Sequence, residues 1–400
     1  VKGGAWWTIL LAWLMAGCSG EPAPEEPPAS PSLDFAGALI VENGPPPAGA
    51  YGSVDSLPLW SLGQGEGDSI AIFSRITGVV PVGSGGFAVL DATPATIRLY
   101  DGEGVRTGVL GGRGEGGGSL DLPATLLPGG GDTLVVHDVA LRRRIWFHPE
   151  GGFLREEPLG SPGRSVLGRL PSGEQLIRRE EELPRPLPTG LLERRVAFLL
   201  EGGPAEPGQG VELGRFAAVP LVVHGPGEGG TPEVTPVPFR AVPLAAPWNG
   251  GVVVTDGTGD LREYDASGAL VRVIRTGIPL QPVQPAWVEG FILSRTGGIP
   301  DPALRARVQD DLSGVTFPTH VPAFADLRVD SSGRLWLLAT RLPGEPPVQR
   351  WWVVDPDGET LGDVRMPPRV SLRIPGEDGV LGSVADDAGV IRIVRHRLRK

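Results

Sequence analysis

Phe87-Ala88-Val89-Leu90-Asp91, Ile97-Arg98-Leu99-Tyr100, Asp101-Gly102-Glu103-Gly104 and Val105–Leu110 follow one another as strand, strand, turn and strand. Aspartate at the first turn position caps the turn with its side chain, and glycine at the fourth accepts the positive φ that returns the chain into a hairpin. The pattern comes back as Leu134-Val135-Val136-His137-Asp138, Ile145-Trp146-Phe147, His148-Pro149-Glu150-Gly151 and Phe153-Leu154. It comes back again as Val252-Val253-Val254-Thr255-Asp256, Leu261-Arg262-Glu263-Tyr264, Asp265-Ala266-Ser267-Gly268 and Leu270–Ile274. Asp355-Pro356-Asp357-Gly358 supplies the same turn later, while Asp330-Ser331-Ser332-Gly333 and Asp386-Asp387-Ala388-Gly389 fit an earlier turn of the unit. Oxygen ligands are too few in these acidic turns for a calcium loop, so they read as hairpin turns.

Asp138 stands 47 residues after Asp91, within the ~40–50 of a four-stranded propeller blade. A repeat of this length cannot close a core alone, and radial stacking is the natural solution. The spacing predicts blades over 76–115, 120–160, 165–223, 236–276 and 323–366. A sixth begins with two strands in 378–398, and its partners are expected near Ala38–Val41 and Leu57–Leu62. The expected fold class is an all-β propeller of six four-stranded blades, closed by N- and C-terminal strands in one blade so that no edge is left open. Helix signals are sparse. Pro302–Leu312 is the best, with Leu304, Val308 and Leu312 on one face and Asp301-Pro302 as cap and first turn.

Gly111-Gly112-Arg113-Gly114-Glu115-Gly116, the strand ending in Asp138, the basic turn Arg142-Arg143-Arg144 and Ile145-Trp146-Phe147 together resemble the NHL-like six-bladed β-propellers, including secreted and lipid-anchored bacterial members. The likeness spans about residues 56–398 and is strongest over 76–155. Pro/Gly-rich insertions around 181–190, 202–210 and 343–347 stretch the third and fifth units.

The N-terminal residues concern location. Lys2 precedes an apolar run from Ala5 to Ala16, and Met15-Ala16-Gly17-Cys18 follows, with Cys18 the only cysteine among 400 residues. The run is too short for a span of about 20 apolar residues and fits the core of a signal peptide. The segment resembles a bacterial lipoprotein leader, with Met15 where leucine is usual. That resemblance implies a signal peptide over 1–17, lipid on Cys18, a Pro-rich tether over 18–34 and a propeller domain over 35–400. Two or more acyl chains anchor stably, and Ser19 in place of an aspartate leans towards the outer membrane, on its periplasmic or surface side. The remaining chain has no cysteine to form a disulfide, so stability rests on its core.

The formal charge is −11, with lysine only at Lys2 and Lys400, which argues against nucleic acid as a partner. Gly112–Gly117 contains a G-x-G-x-x-G match, but no helix pattern follows it, so it reads as a loop between blades. Asp91, Asp138 and Asp256 hold the same place in three units. A ring of carboxylates near a propeller axis could hold a cation or a basic group; alternatively each ties down its own loop through backbone N–H groups. Arg142, Arg143 and Arg144 are the other candidate ligand contacts, reaching lipid, glycan or a partner protein, or else forming a solvated loop. Trp336, Trp351 and Trp352 read as core between blades, with sugar stacking as the alternative.

Calcium-dependent lactonases on six-bladed propellers use asparagine and acidic ligands, and this chain has only Asn43 and Asn249. The five histidines lack zinc spacing, and no G-x-S-x-G elbow occurs. The expectation is a monomeric binding or scaffolding module for a protein, peptide or glycan, with no cofactor, no metal and no catalytic residue assigned. A divalent-cation-dependent lactonase or lyase is the alternative.

Overall fold

The computed structural model describes residues 37–46, 49, 51–63, 72–159, 163–202, 210–225 and 232–400. Cys18, the leader and the tether lie outside the described residues, as do most of the 202–210 insertion and Gln64–Gly67.

Among the described residues, six sheets of four or five strands carry the domain, antiparallel except for one added edge strand. The first runs through Ile76–Val82, Gly86–Asp91, Thr96–Tyr100 and Arg106–Gly111. The second holds Pro123–Gly130, Thr133–Asp138, Arg143–His148 and Gly152–Pro158, and the third Arg164–Arg169, Gln175–Glu180, Arg195–Glu201 and Val211–Ala217. The fourth holds Leu244–Trp248, Gly251–Thr255, Asp260–Tyr264 and Leu270–Arg275, and the fifth Phe324–Val329, Leu335–Ala339, Arg350–Val354 and Thr360–Arg365. The sixth combines Ser371–Ile374, Gly379–Ala385 and Ile391–Arg399 with the N-terminal strands Ser53–Val54 and Trp60–Leu62.

The leading strands of successive sheets lie side by side, and that of the sixth lies against the first. The fifth and sixth share one apolar cluster, and Arg328 Nη1 donates to the Arg373 carbonyl at 2.8 Å. Sheets arranged in this way make a β-propeller.

Strand alternation explains the continuous apolar runs. Ala88 and Leu90 pack towards the second sheet, whereas Phe87 and Val89 pack towards the sixth. In the fifth sheet, Trp336 and Trp351 fill the seam with the sixth, and Trp352 fills the seam with the fourth. All three tryptophans are core, with exposures of 0, 0 and 5%. A sheet buried on both faces needs apolar residues at every position, so alternation disappears from its sequence.

The aspartate turns form as read. The carboxylates of Asp101, Asp265, Asp355, Asp330 and Asp386 each accept from two backbone N–H groups of their turn. Gly104, Gly268 and Gly358 take φ of 84°, 86° and 93°. In the second sheet His148 Nδ1 accepts from Glu150 and Gly151 N–H instead.

The structure departs from the spacing in four places. Leu39–Glu42 does not join the sixth sheet: it pairs in parallel with Leu270–Arg275 at the outer edge of the fourth. The sixth sheet draws three strands from the C-terminal region, because Ser371–Ile374 extends beside Gly379–Ala385. Leu221–Val223 and Val234–Pro236, expected within the third unit and at the start of the fourth, form a separate sheet with Gly190–Leu192. Between the fourth and fifth sheets stand two helices, α1 (Pro285–Thr296) and α2 (Pro302–Ser313). The second is the helix read from sequence, capped by Asp301 accepting from Ala303 N–H at 2.9 Å. The first was legible in Pro285 at the first turn and in Trp287, Val288, Phe291 and Ile292, which fall on helical spacing.

Candidate functional site

Where the six leading strands meet, they enclose a cavity of about 880 Å³, in the size range of ligand sites. Each larger sheet contributes wall residues, such as Val79, Pro128, Leu167, Ala246, Leu327 and Ile374. Pro81, Pro128 and Pro247 all lie on leading strands. Proline is tolerated there because one edge of each such strand faces the axis and has no ladder partner. Small residues allow the strands to converge: a Cβ on Gly78 would lie 2.6 Å from Leu126 Cβ, and one on Gly168 2.6 Å from Pro247 Cγ.

Four arginines, Arg169, Arg328, Arg373 and Arg395, and three carboxylates, Asp330, Glu377 and Asp378, make up the charged lining. Arg169, Arg328 and Arg373 come from the third, fifth and sixth leading strands. Arg373 Nε donates to Ser383 Oγ at 2.8 Å, and Arg328 Nη2 donates to the Asp326 carboxylate at 2.9 Å. Burial lowers the Arg373 pKa, the neighbouring Arg328 lowers it further, and Asp326 opposes both.

None of the ligand contacts anticipated from sequence lines this cavity. Asp91 is fully buried, accepting from Ser74 and Arg75 N–H at 3.0 and 2.8 Å and from Arg98 Nη2 at 3.2 Å. Asp138, also fully buried, accepts from Asp121, Leu122, Ala140 and Leu141 N–H. Asp256 accepts from the Thr258 N–H and hydroxyl and from Arg262. Burial works against the Asp256 carboxylate, but the Thr258 hydroxyl and Arg262 outweigh it, and its pKa lies below the usual value. All three carboxylates hold their own loops, at the turn after the second strand of each sheet. Among the described residues, no group of three His, Cys, Asp or Glu is placed to hold a metal ion.

The three consecutive arginines part company in the same way. Arg142 is exposed in the left-handed region at φ 50°. Arg143 pairs with Glu156 at 2.6 Å and donates to the Ser119 carbonyl and hydroxyl. Arg144 turns into the seam with the third sheet, where it donates to Gln175 Oε1 at 3.2 Å and lies 5.6 Å from the Trp146 ring centroid. Sequence reasoning missed the cavity arginines because no spacing links 169, 328 and 373. Their shared position on leading strands was the available signal.

No family model and no curated protein matches the chain. Solved structures do. An exported protein from Bacteroides fragilis NCTC 9343 superposes with a TM-score of 0.50 at 10% identity, over 91% of this chain and 100% of that one. A member of the DUF4221 family from Bacteroides vulgatus gives 0.49 at 10%, over 88% and 99%. A catalytically inactive virginiamycin B lyase from Staphylococcus aureus, solved with quinupristin, gives 0.38 at 11%, over 86% and 99%. At such identities the likeness is one of fold and carries no activity across.

Proposed function

We propose that this protein is a lipid-anchored, extracytoplasmic β-propeller of the NHL-like kind, its six larger sheets being six blades, that works as a binding or scaffolding module for a protein, peptide or glycan. In this reading Cys18 carries the anchor on the outer membrane, residues 18–34 are the tether, the domain from residue 35 onward is a monomer, and the central cavity is the ligand site. The carrying observation is that cavity: about 880 Å³ with a wall segment from each of the six sheets. A site built on leading strands is held rigid by the whole ring, which favours selective binding. The description of the Bacteroides fragilis protein as exported agrees with an extracytoplasmic location.

Two measurements test this reading. Cys18→Ser should release the protein from the membrane fraction, and unchanged fractionation overturns the anchor. The wild-type chain should recover a partner from envelope extracts that Pro81→Trp, which adds bulk at an exposed position of the cavity lining, does not. A large calcium-dependent rise in Tm with no partner recovered would favour the lactonase-type alternative instead.

A further inference from the structure

The cavity holds more positive charge than its own carboxylates neutralise. Of the acidic residues in its lining, Asp330 has a fully buried carboxylate, engaged by the Ser332 and Arg334 N–H groups and by Trp336 Nε1, with Arg334 Nη1 at 3.7 Å. Glu377 pairs with Arg334 at 3.4 Å and Lys400 at 3.6 Å. Asp378 is exposed at the rim. Among the described residues, no carboxylate is ion-paired with Arg373 or Arg169, whose recorded partners are the Ser383 hydroxyl and the Gly173 carbonyl. Arg328 reaches across to the Arg373 carbonyl and keeps one carboxylate, Asp326.

Arg328 and Arg373 stand on adjacent leading strands, joined by the bond from Arg328 to the Arg373 carbonyl, so an anion beside them would gain from both charges. Charge-assisted hydrogen bonds from arginine to a carboxylate are the strong ones, and partial exclusion of water strengthens them. The rest of the wall selects what flanks the charge. Val79, Pro81, Leu167, Pro247, Leu327 and Ile374 offer apolar contact and no side-chain donors. Phe87 is the only aromatic residue of the lining; it is 3% exposed and already stacked between Trp60 and Tyr100. A sugar would therefore find neither a ring face to stack on nor a dense set of polar partners, whereas a peptide with apolar side chains finds matching walls.

We propose that the cavity binds an acidic peptide segment, with Arg373 and Arg328 holding its carboxylate, Arg169 adding positive charge from the third sheet, and the apolar wall taking the flanking side chains. The proposal rests on the cavity being the ligand site and adds the chemical class of the ligand.

The test uses the full chain and a display of end-blocked tetrapeptides. Half carry Asp or Glu between apolar residues, and half are otherwise matched with Asn or Gln. Acidic members should be retained at least tenfold better. Arg328→Gln and Arg373→Gln should each erase that preference, Arg373→Lys should keep part of it, and Arg215→Gln, exposed on the outer strand of the third sheet, should leave it unchanged. Retention should fall as salt is raised. Equal retention of acidic and amide members overturns the charge assignment, and tighter binding of a galacturonate oligosaccharide than of any peptide overturns the peptide assignment. If the acidic preference survives unchanged in Pro81→Trp, the cavity itself is not the site, and the underlying functional reading fails separately.

Discussion

His224 Nδ1 lies 2.8 Å from a carboxylate oxygen of Asp311, and Nε2 of the same ring lies 2.9 Å from the Thr235 hydroxyl. The imidazole is fully buried and Thr235 is 4% exposed. Asp311 belongs to α2, whereas Thr235 belongs to the separate three-stranded sheet and His224 follows its middle strand. Beside them Val222, Val237, Val308 and Leu312 form the apolar contact between helix and sheet. The three polar groups staple α2 to that sheet. His224→Leu should cost about 2–3 kcal/mol, because the Thr235 hydroxyl is left buried without a partner. Denaturant unfolding measures the loss, and hydrogen exchange should place the faster amides in α2.

Asp91 and Arg98 form a buried pair, with side-chain exposures of 0 and 7%. Asp91→Asn keeps the size but directs an amide nitrogen towards donors from Ser74, Arg75 or Arg98. The expected loss is about 3 kcal/mol, the scale for a buried pair stripped of one charge. Limited proteolysis should cut first near residue 74. Ligand capture by the remaining folded protein should be unaltered, since Asp91 is remote from the cavity wall.

His137 is buried in the seam between the second and third sheets, and burial followed by the nearby Arg144 lowers its pKa to about 4. Below pH 6.5 the unfolded chain takes up a proton that the folded chain refuses, so the folded state loses stability as pH falls from about 6.5 to about 4. Above that window the contribution is complete. The full effect is on the order of 3 kcal/mol. His137→Gln should flatten this part of the stability–pH curve measured by urea unfolding.

Asn43 fastens the N-terminal strand. Its Nδ2 donates to the carbonyls of Arg275 and Gly358, and its Oδ1 accepts from Thr360 N–H at 2.9 Å. Nearby, Gly277 sits at φ 69°, where a Cβ would approach the Gly44 carbonyl oxygen to 2.1 Å. Asn43→Ala should cost roughly 1–2 kcal/mol, and Gly277→Ala should displace the strand outright. In both variants the amides of residues 39–42 should exchange faster while those of Ile391–Arg399 keep their protection.

Local chemistry along the chain was enough to set the strand-and-turn units and their class of fold. Apolar runs broken by aspartate-first, glycine-fourth turns are local chemistry, because the aspartate carboxylate binds N–H groups two and four residues ahead. The 47-residue period then implied stacking, since no single unit could bury both of its faces. Asp301 and the face of α2 were readable for the same local reason.

Where equivalent residues point is fixed only once the sheets pack together. Asp91, Asp138 and Asp256 read in sequence either as a ring or as ties for their own loops, and each carboxylate binds its own loop, because the nearest N–H donors satisfy it before any distant group can. Leu39–Glu42 reads as a strand and carries nothing that names its partner; pairing with Leu270–Arg275 was chosen by the Asn43 contacts, which join residues more than two hundred positions apart. The cavity arginines could not be grouped for the same reason. Arg169, Arg328 and Arg373 share no motif, and only closure of the ring brings their strands to one axis.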